Sequence, residues 1–264
     1  MIIMTFMVAI PSYNRAEELR DYSLKTLISK NVDAGAINIF VANEEEYLKY
    51  KKTLSTDNYN EIIITEKGKM NAINHIRRYY KKGQKLLNLD DDIMEVYATY
   101  NSYQYSIKNL NDYSEYMFRI MKKHKVGLCG LSISSNPFFR TNTASIDNHW
   151  LCGGLYWTIN NPSPKLDLYC DNCEDLEFSL KNYEYYGGVM KNRECYVLDA
   201  SLRANIIQDR LAVEQEMAKT RLKCYQQFPH LLKHNHSEYN GSYSIDVIHF
   251  PKKKKIIPLL EKKW

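Results

Sequence analysis

Three consecutive carboxylates, Asp90, Asp91 and Asp92, stand between the apolar run KLLNL and the residues Ile93, Met94 and Val96. Adjacent carboxylates repel one another, and taking them out of water is costly unless a cation or hydrogen-bond donors compensate. A helix cap, a calcium loop and a Mg2+ or Mn2+ site carrying phosphates are the candidate chemistries. Capping accounts for one aspartate and leaves two. An EF-hand needs D-x-[DN]-x-[DN]-G and a later glutamate, a pattern the segment lacks. A hard octahedral cation, held by one or two carboxylates and completed by water and phosphate oxygens, uses what is present. With no Walker A glycine loop upstream, P-loop phosphotransfer is disfavoured.

A second acidic stretch is CEDLEFSL, from Cys173 to Leu180. Asp171 and Glu174 have the spacing of a capping box, which leaves Asp175 without a structural role. Cys170 and Cys173 form a CxxC, but no second ligand pair at zinc spacing accompanies them, and ordinary thiols are the simpler reading. His234 and His236, in HLLKHNH, read first as surface histidines. Basic residues recur at Arg203, Arg210, Lys219, Arg221 and Lys223 and in the lysines at 252–255, either as a mixed-charge helix with a solvated tail or as phosphate contacts.

The elements that must position these residues alternate. A strand over 2–10 leads through Pro11–Arg15 into a helix over 16–30, followed by a strand over 37–42 and a helix capped by Asn43. A strand over 61–65, a Gly68–Lys69 turn and a helix over 70–81 precede the strand KLLNL. This βαβ rhythm predicts a parallel sheet, with ligands beyond the carboxyl ends of its strands. Pro11–Arg15, Asn43, Lys67–Lys69 and Asp90–Asp92 should therefore share one rim. The second half predicts helices over 112–124, 173–188 and 209–226, and strands over 126–133, 149–159 and 194–198.

The 264 residues suffice for one substantial α/β domain, and 44% apolar with 25% charged residues is ordinary for a globular chain. The apolar start MIIMTFMVAI ends at Pro11 and reads as a buried strand rather than a signal peptide or membrane span. Six scattered cysteines favour a reducing, intracellular setting, so a cytoplasmic location is expected. The net charge of +5 is modest.

The sequence resembles the GT-A glycosyltransferases, and more narrowly the TET/JBP-associated glycosyltransferases. The resemblance is carried by Ala9–Leu27, Ile37–Leu54, Glu61–Ile93, Asn136–Phe139, Gly153–Asn161 and Cys173–Gly188, in the family's order over roughly residues 8–230. It implies an α/β GT-A fold with a Rossmann-like nucleotide-binding half (about 1–95), an acceptor half (about 96–232), a mixed central sheet, and a C-terminal extension with a basic tail (233–264). It implies an inverting transfer of a sugar from a nucleotide donor, UDP-linked, to the hydroxymethyl group of a modified pyrimidine in DNA, of the kind found in phages and large DNA viruses. By the same resemblance Asp90 and Asp92 form the D-x-D that holds Mn2+ or Mg2+, with Asp92 the direct ligand and Asp90 also reaching the donor ribose, and Asp91 belongs to the same donor-binding run. Pro11, Ser12 and Arg15 lie along the nucleoside, Lys69 touches phosphate, and Gly153 and Gly154 approach the sugar. Asp175 is the general base with Glu174 beside it, and His234 or His236 completes the metal shell. One departure is the segment Met70–Asn74, where many members carry Gln-Arg-Asn.

Overall fold

The computed structural model describes residues 5–100, 103–131, 140–200, 210–236, 243–249 and 254–259. Four parallel strands, β1 (Met7–Pro11), β2 (Ile37–Val41), β3 (Glu61–Ile64) and β4 (Lys85–Leu89), lie in the order β3-β2-β1-β4. The apolar runs of β1, β2 and β4 are continuous because both faces are covered, whereas β3, at the edge of the sheet, leaves Glu61 and Ile64 exposed. Val8, Ile10, Ile37, Ile39 and Leu87 enter the main core, while Ala9, Phe40 and Leu86 face the opposite way and pack with Ile76 and Tyr80. The second face belongs to α4 (Lys69–Tyr79).

The connections follow from local chemistry. Between α1 (Ala16–Leu19) and α2 (Lys25–Ser29) the rod is π-helical over Arg20–Leu24. The next helix, α3 (Glu44–Thr53), is capped by Asn43, whose Oδ1 accepts from Glu46 N at 2.9 Å, and three glutamates occupy its positive end. Asn43 thus follows the carboxyl end of β2 and serves there as the cap of the helix. Gly68 precedes α4 at φ 103°, a conformation open to glycine and strained for other residues.

Beyond β4 the sheet becomes mixed. β9 (Cys152–Ile159) runs antiparallel between β4 and β7 (Leu128–Leu131), and β10 (Val189–Asn192), β8 (Thr143–Asp147) and β14 (Lys255–Pro258) complete nine strands. On this half α5 (Leu110–His124) packs on β9, where Trp157 Nε1 donates to Ser114 Oγ at 3.0 Å, and α6 (Glu174–Tyr186) packs on β10. A small antiparallel sheet joins β11 (Cys195–Asp199), β5 (Ile93–Tyr100) and β6 (Tyr103–Ser106). Helix α7 (Arg210–Gln227) contacts the hairpin of β12 (Leu232–His236) and β13 (Tyr243–Val247).

One sequence expectation is corrected here and one strand was unforeseen. Lys254 and Lys255 of the lysine-rich stretch are exposed, as a solvated stretch requires, but Lys255 opens β14, which pairs with β8 and buries Ile257. Asp171 does not cap α6: Cys173 is the N-cap, with no side-chain cap bond. The loop before α6 is held instead by Glu177, whose Oε2 accepts from Tyr169 N at 2.8 Å and Cys170 N at 2.9 Å.

Candidate active site

Pro11, Ser12, Arg15, Lys67, Gly68, Lys69 and the three aspartates line one cavity of about 330 Å3 at the carboxyl ends of the parallel strands. The aspartate turn is fixed through its backbone. Asp90 N donates to Gly154 O at 3.0 Å, Ser23 Oγ donates to Asp90 O at 2.6 Å and accepts from Ile93 N at 2.9 Å, and Ala200 N donates to Asp92 O at 3.0 Å. Asn14 takes a left-handed turn at φ 57° to bring Arg15 back over the strand ends.

The positive charge demanded by the three carboxylates comes partly from the chain itself. Arg15 pairs with Asp91 at 3.0 Å and with Asp92 at 3.1 Å. Asp91, 5% exposed, also accepts from Ser12 Oγ at 2.6 Å, and Ser12 in turn shares a hydrogen bond with Tyr50 OH. Burial pushes the Asp91 carboxyl up to about 6 despite Ser12 and Arg15. Burial likewise raises Asp92, against the pull of Arg15. Asp91 therefore fastens the β1 loop to the aspartate turn, while Asp90 and Asp92, the latter also held by Arg15, border a neighbouring space.

That space is a second cavity of about 220 Å3, lined by Asp90, Asp92, Gly153, Gly154, Glu174, Asp175 and Asp199, with Lys69 as its cation. Lys69 Nζ lies 3.0 Å from Asp90 and 3.7 Å from Glu174. Desolvation works against its charge, but Asp90 and Glu174 outweigh it and the ammonium is raised above its ordinary pKa. Five carboxylates against Lys69, with Arg15 on Asp92 from outside the cavity, leave a net negative charge, and their oxygens are the donors a hard divalent cation takes. Among the described residues no three His, Cys, Asp or Glu side chains form a ready-made metal group. A cation held by one or two carboxylates plus substrate phosphate needs no such group.

Across this cavity from the aspartate turn stands the first turn of α6. Asp175 Oδ1 accepts from Leu176 N at 2.7 Å and Oδ2 from Trp150 Nε1 at 3.0 Å. Burial raises its pKa, with Trp150 and Leu176 opposing. Burial raises Glu174 as well, against Lys69. A Cβ on Gly153 would stand 3.5 Å from Asp175 and 3.6 Å from Lys69 Nζ, so the strand passes close under both.

The structure thus brings together Pro11, Ser12, Arg15, Lys69, Asp90, Asp91, Asp92, Gly153, Gly154, Glu174 and Asp175. His234 and His236 fall on β12, and their side chains lie outside the described residues, as do Arg203 and the lysines at 252 and 253. Cys170 and Cys173 are free and buried, with Cys224 Sγ 3.6 Å from Cys173 Sγ. Sequence reasoning missed Asp199, whose only signal is again a carboxylate at a strand end, and Trp150, which nothing local marks.

Neither a protein-family model nor a curated protein sequence matches the chain. Solved structures do. The mannosyltransferase PcManGT from Pyrobaculum calidifontis superposes with a TM-score of 0.51 at 12% identity over 86% of this chain. The chain spans 64% of that protein's length. S. aureus TarS 1-349 matches with a TM-score of 0.47 at 13% identity, covering 84% of this chain and 72% of its own. For GalNAc-T7 the values are 0.44 and 15%, covering 73% of this chain and 43% of its own. The fold is the GT-A glycosyltransferase fold: a Rossmann-like parallel half continued into a mixed central sheet.

Proposed function

We propose that the chain is a metal-dependent glycosyltransferase that moves a sugar from a UDP-linked donor to the hydroxymethyl group of a modified pyrimidine in DNA, with inversion. The observation that carries the transfer reading is the acidic cavity in which the strand-end aspartates face Asp175 across an open gap. The strand-end cavity beside it has the volume and the mixed apolar and polar lining suited to a nucleoside. PcManGT, which shares the fold, was captured with GDP-Man and Mn2+. That capture supports a nucleotide sugar and a divalent cation here. The acceptor rests on the family resemblance of Ala9–Leu27 and Ile37–Leu54.

In this reading Asp92 and Asp90 would hold Mn2+ or Mg2+ together with the donor diphosphate, and His234 or His236 would be a further ligand. When bound, the cation offsets the charge that develops on the departing diphosphate. Lys69 adds a second positive charge on the same side. Ser12 and Arg15 keep the β1 loop against the nucleoside. Asp175 accepts the proton of the acceptor hydroxyl, a task that its raised pKa favours. Glu174 holds Lys69 between the donor and acceptor sides.

The test is a transfer assay with a panel of nucleotide sugars and duplexes carrying hydroxymethylcytosine, hydroxymethyluracil or neither. A one-hexose mass gain confined to hydroxymethylated DNA is expected. Transfer only to a glycan or small molecule would move the acceptor assignment, and no transfer from any donor would remove the enzyme reading.

A further inference from the structure

Asp175 is held more tightly than a solvent-facing carboxylate at a helix start requires. Each oxygen has its own donor, Leu176 N on Oδ1 and Trp150 Nε1 on Oδ2, so the carboxyl plane cannot rotate without losing one of them. The segment bearing Trp150 is pinned to the same residue through its backbone. Ser179 Oγ donates to Asp175 O at 2.7 Å and accepts from Leu151 N at 3.2 Å. Trp150 is fixed from its other side by α7, where the Arg221 guanidinium lies 5.2 Å from the indole ring centroid. A cation near an indole face is attracted to the ring and limits its freedom. Arg221, one of the basic residues read either as part of a mixed-charge helix or as phosphate contacts, is half-buried against this ring.

We propose that Trp150 is the positioning residue for the proton-accepting Asp175, its indole N–H fixing the carboxylate so that the remaining lone pair of Oδ2 faces the cavity, and that Arg221 braces Trp150 from α7. This rests on the assignment of Asp175 as the base. The arrangement has the logic of a base oriented by a third group, with the tryptophan in the orienting place. An uncharged donor suits the site: it orients the carboxylate without the strong pKa depression that an ammonium or guanidinium would impose. The charged groups around Asp175 are Lys69 from α4, Glu174 from α6, Asp90 and Asp92 from the turn after β4, and Asp199 from β11, with Arg221 behind the indole.

The experiment compares wild type, Trp150→Phe and a protein in which residue 150 is 3-benzothienylalanine, an isostere with sulfur in place of the N–H. The isostere keeps the packing should the phenylalanine disturb it. Loss of orientation is expected to lower kcat by about tenfold, a part of what a general base supplies. KM for the nucleotide sugar should stay unchanged, and the acid limb of the kcat–pH profile should move to higher pH, since the lost N–H stabilises only the ionised form. A merely structural role would lower stability without moving that limb. Carboxyl carbon NMR titration of Asp175 in wild type and the isostere runs in parallel and needs no substrate. An upward pKa shift in the isostere supports the positioning role even if no transfer is found, which would sink only the glycosyltransferase reading. Unchanged kcat, acid limb and Asp175 titration in the isostere would overturn the proposal while Asp175→Asn still tests the base.

Discussion

Asp91 sits where its charge is unfavourable, buried behind Ser12 and Arg15, with a folded-state pKa of about 6 against an ordinary value of 3.8. A raised carboxyl pKa means that the folded state binds the proton more tightly than the unfolded chain. Its stabilising contribution is full below about pH 4 and is lost as pH rises through 6, at a cost of about 3 kcal/mol once ionised. Asn at this position keeps the hydroxyl partner and carries no charge. The difference in Tm between Asp91→Asn and wild type should therefore shift in the variant's favour between pH 5 and pH 7.5. A difference that is flat with pH, or that moves the other way, would show that the Arg15 pair outweighs burial. Lys69 makes the converse case: its partners Asp90 and Glu174 stand on the two sides of the cavity. Lys69→Met is expected to weaken nucleotide diphosphate binding about tenfold, by loss of a charge-assisted contact. Equal affinity in a calorimetric titration would remove Lys69 from the donor site.

The element that holds the aspartate turn is the π-helical segment Arg20–Leu24, and Ser23 is its point of contact. This fully buried hydroxyl links Asp90 O and Ile93 N, so Ser23→Ala leaves a buried carbonyl and a buried N–H without partners. Thermal or urea unfolding should report a loss of about 2 kcal/mol, and a loss under 0.5 would mean water takes the place of the hydroxyl. The parallel half was legible because its strands are apolar runs: INIFV and KLLNL, buried on both faces, and EIII, at the half-exposed edge, each read as strands by composition alone. Asn43 announced its helix through the three glutamates that follow it. The strands β8, β12 and β14 were not legible, since TASID, LKHNH and KIIP are short or polar and become strands through the partners they meet. The same contrast holds in the site. Asp90–Asp92 and Asp175 stand out as carboxylates without structural cause, whereas Trp150, Tyr50 and Asp199 gain their roles from contacts distant in sequence.

At the scale of the whole molecule, the GT-A fold sets the parallel half and the mixed half side by side, so that the turn after β4 and the start of α6 share one cavity. No helix among the described residues is long and apolar enough to cross a membrane. A DNA acceptor has to be held by groups outside the acidic cavity. The candidates are the basic residues of α7, Lys223 among them, and the lysines at 252–255. If they hold the backbone, duplex affinity should fall steeply with salt as counterions are released. In the proposed function the strand-end aspartates bind a divalent cation together with a nucleotide diphosphate. Calorimetric titration of UDP into the protein, with and without Mn2+, in wild type and Asp92→Asn, tests it directly. UDP should bind the wild type at least tenfold more tightly with Mn2+, and the Asp92→Asn protein should no longer respond to the metal. Binding of UDP indifferent to Mn2+, or an Asp92→Asn variant with an intact Mn2+ response, would contradict it.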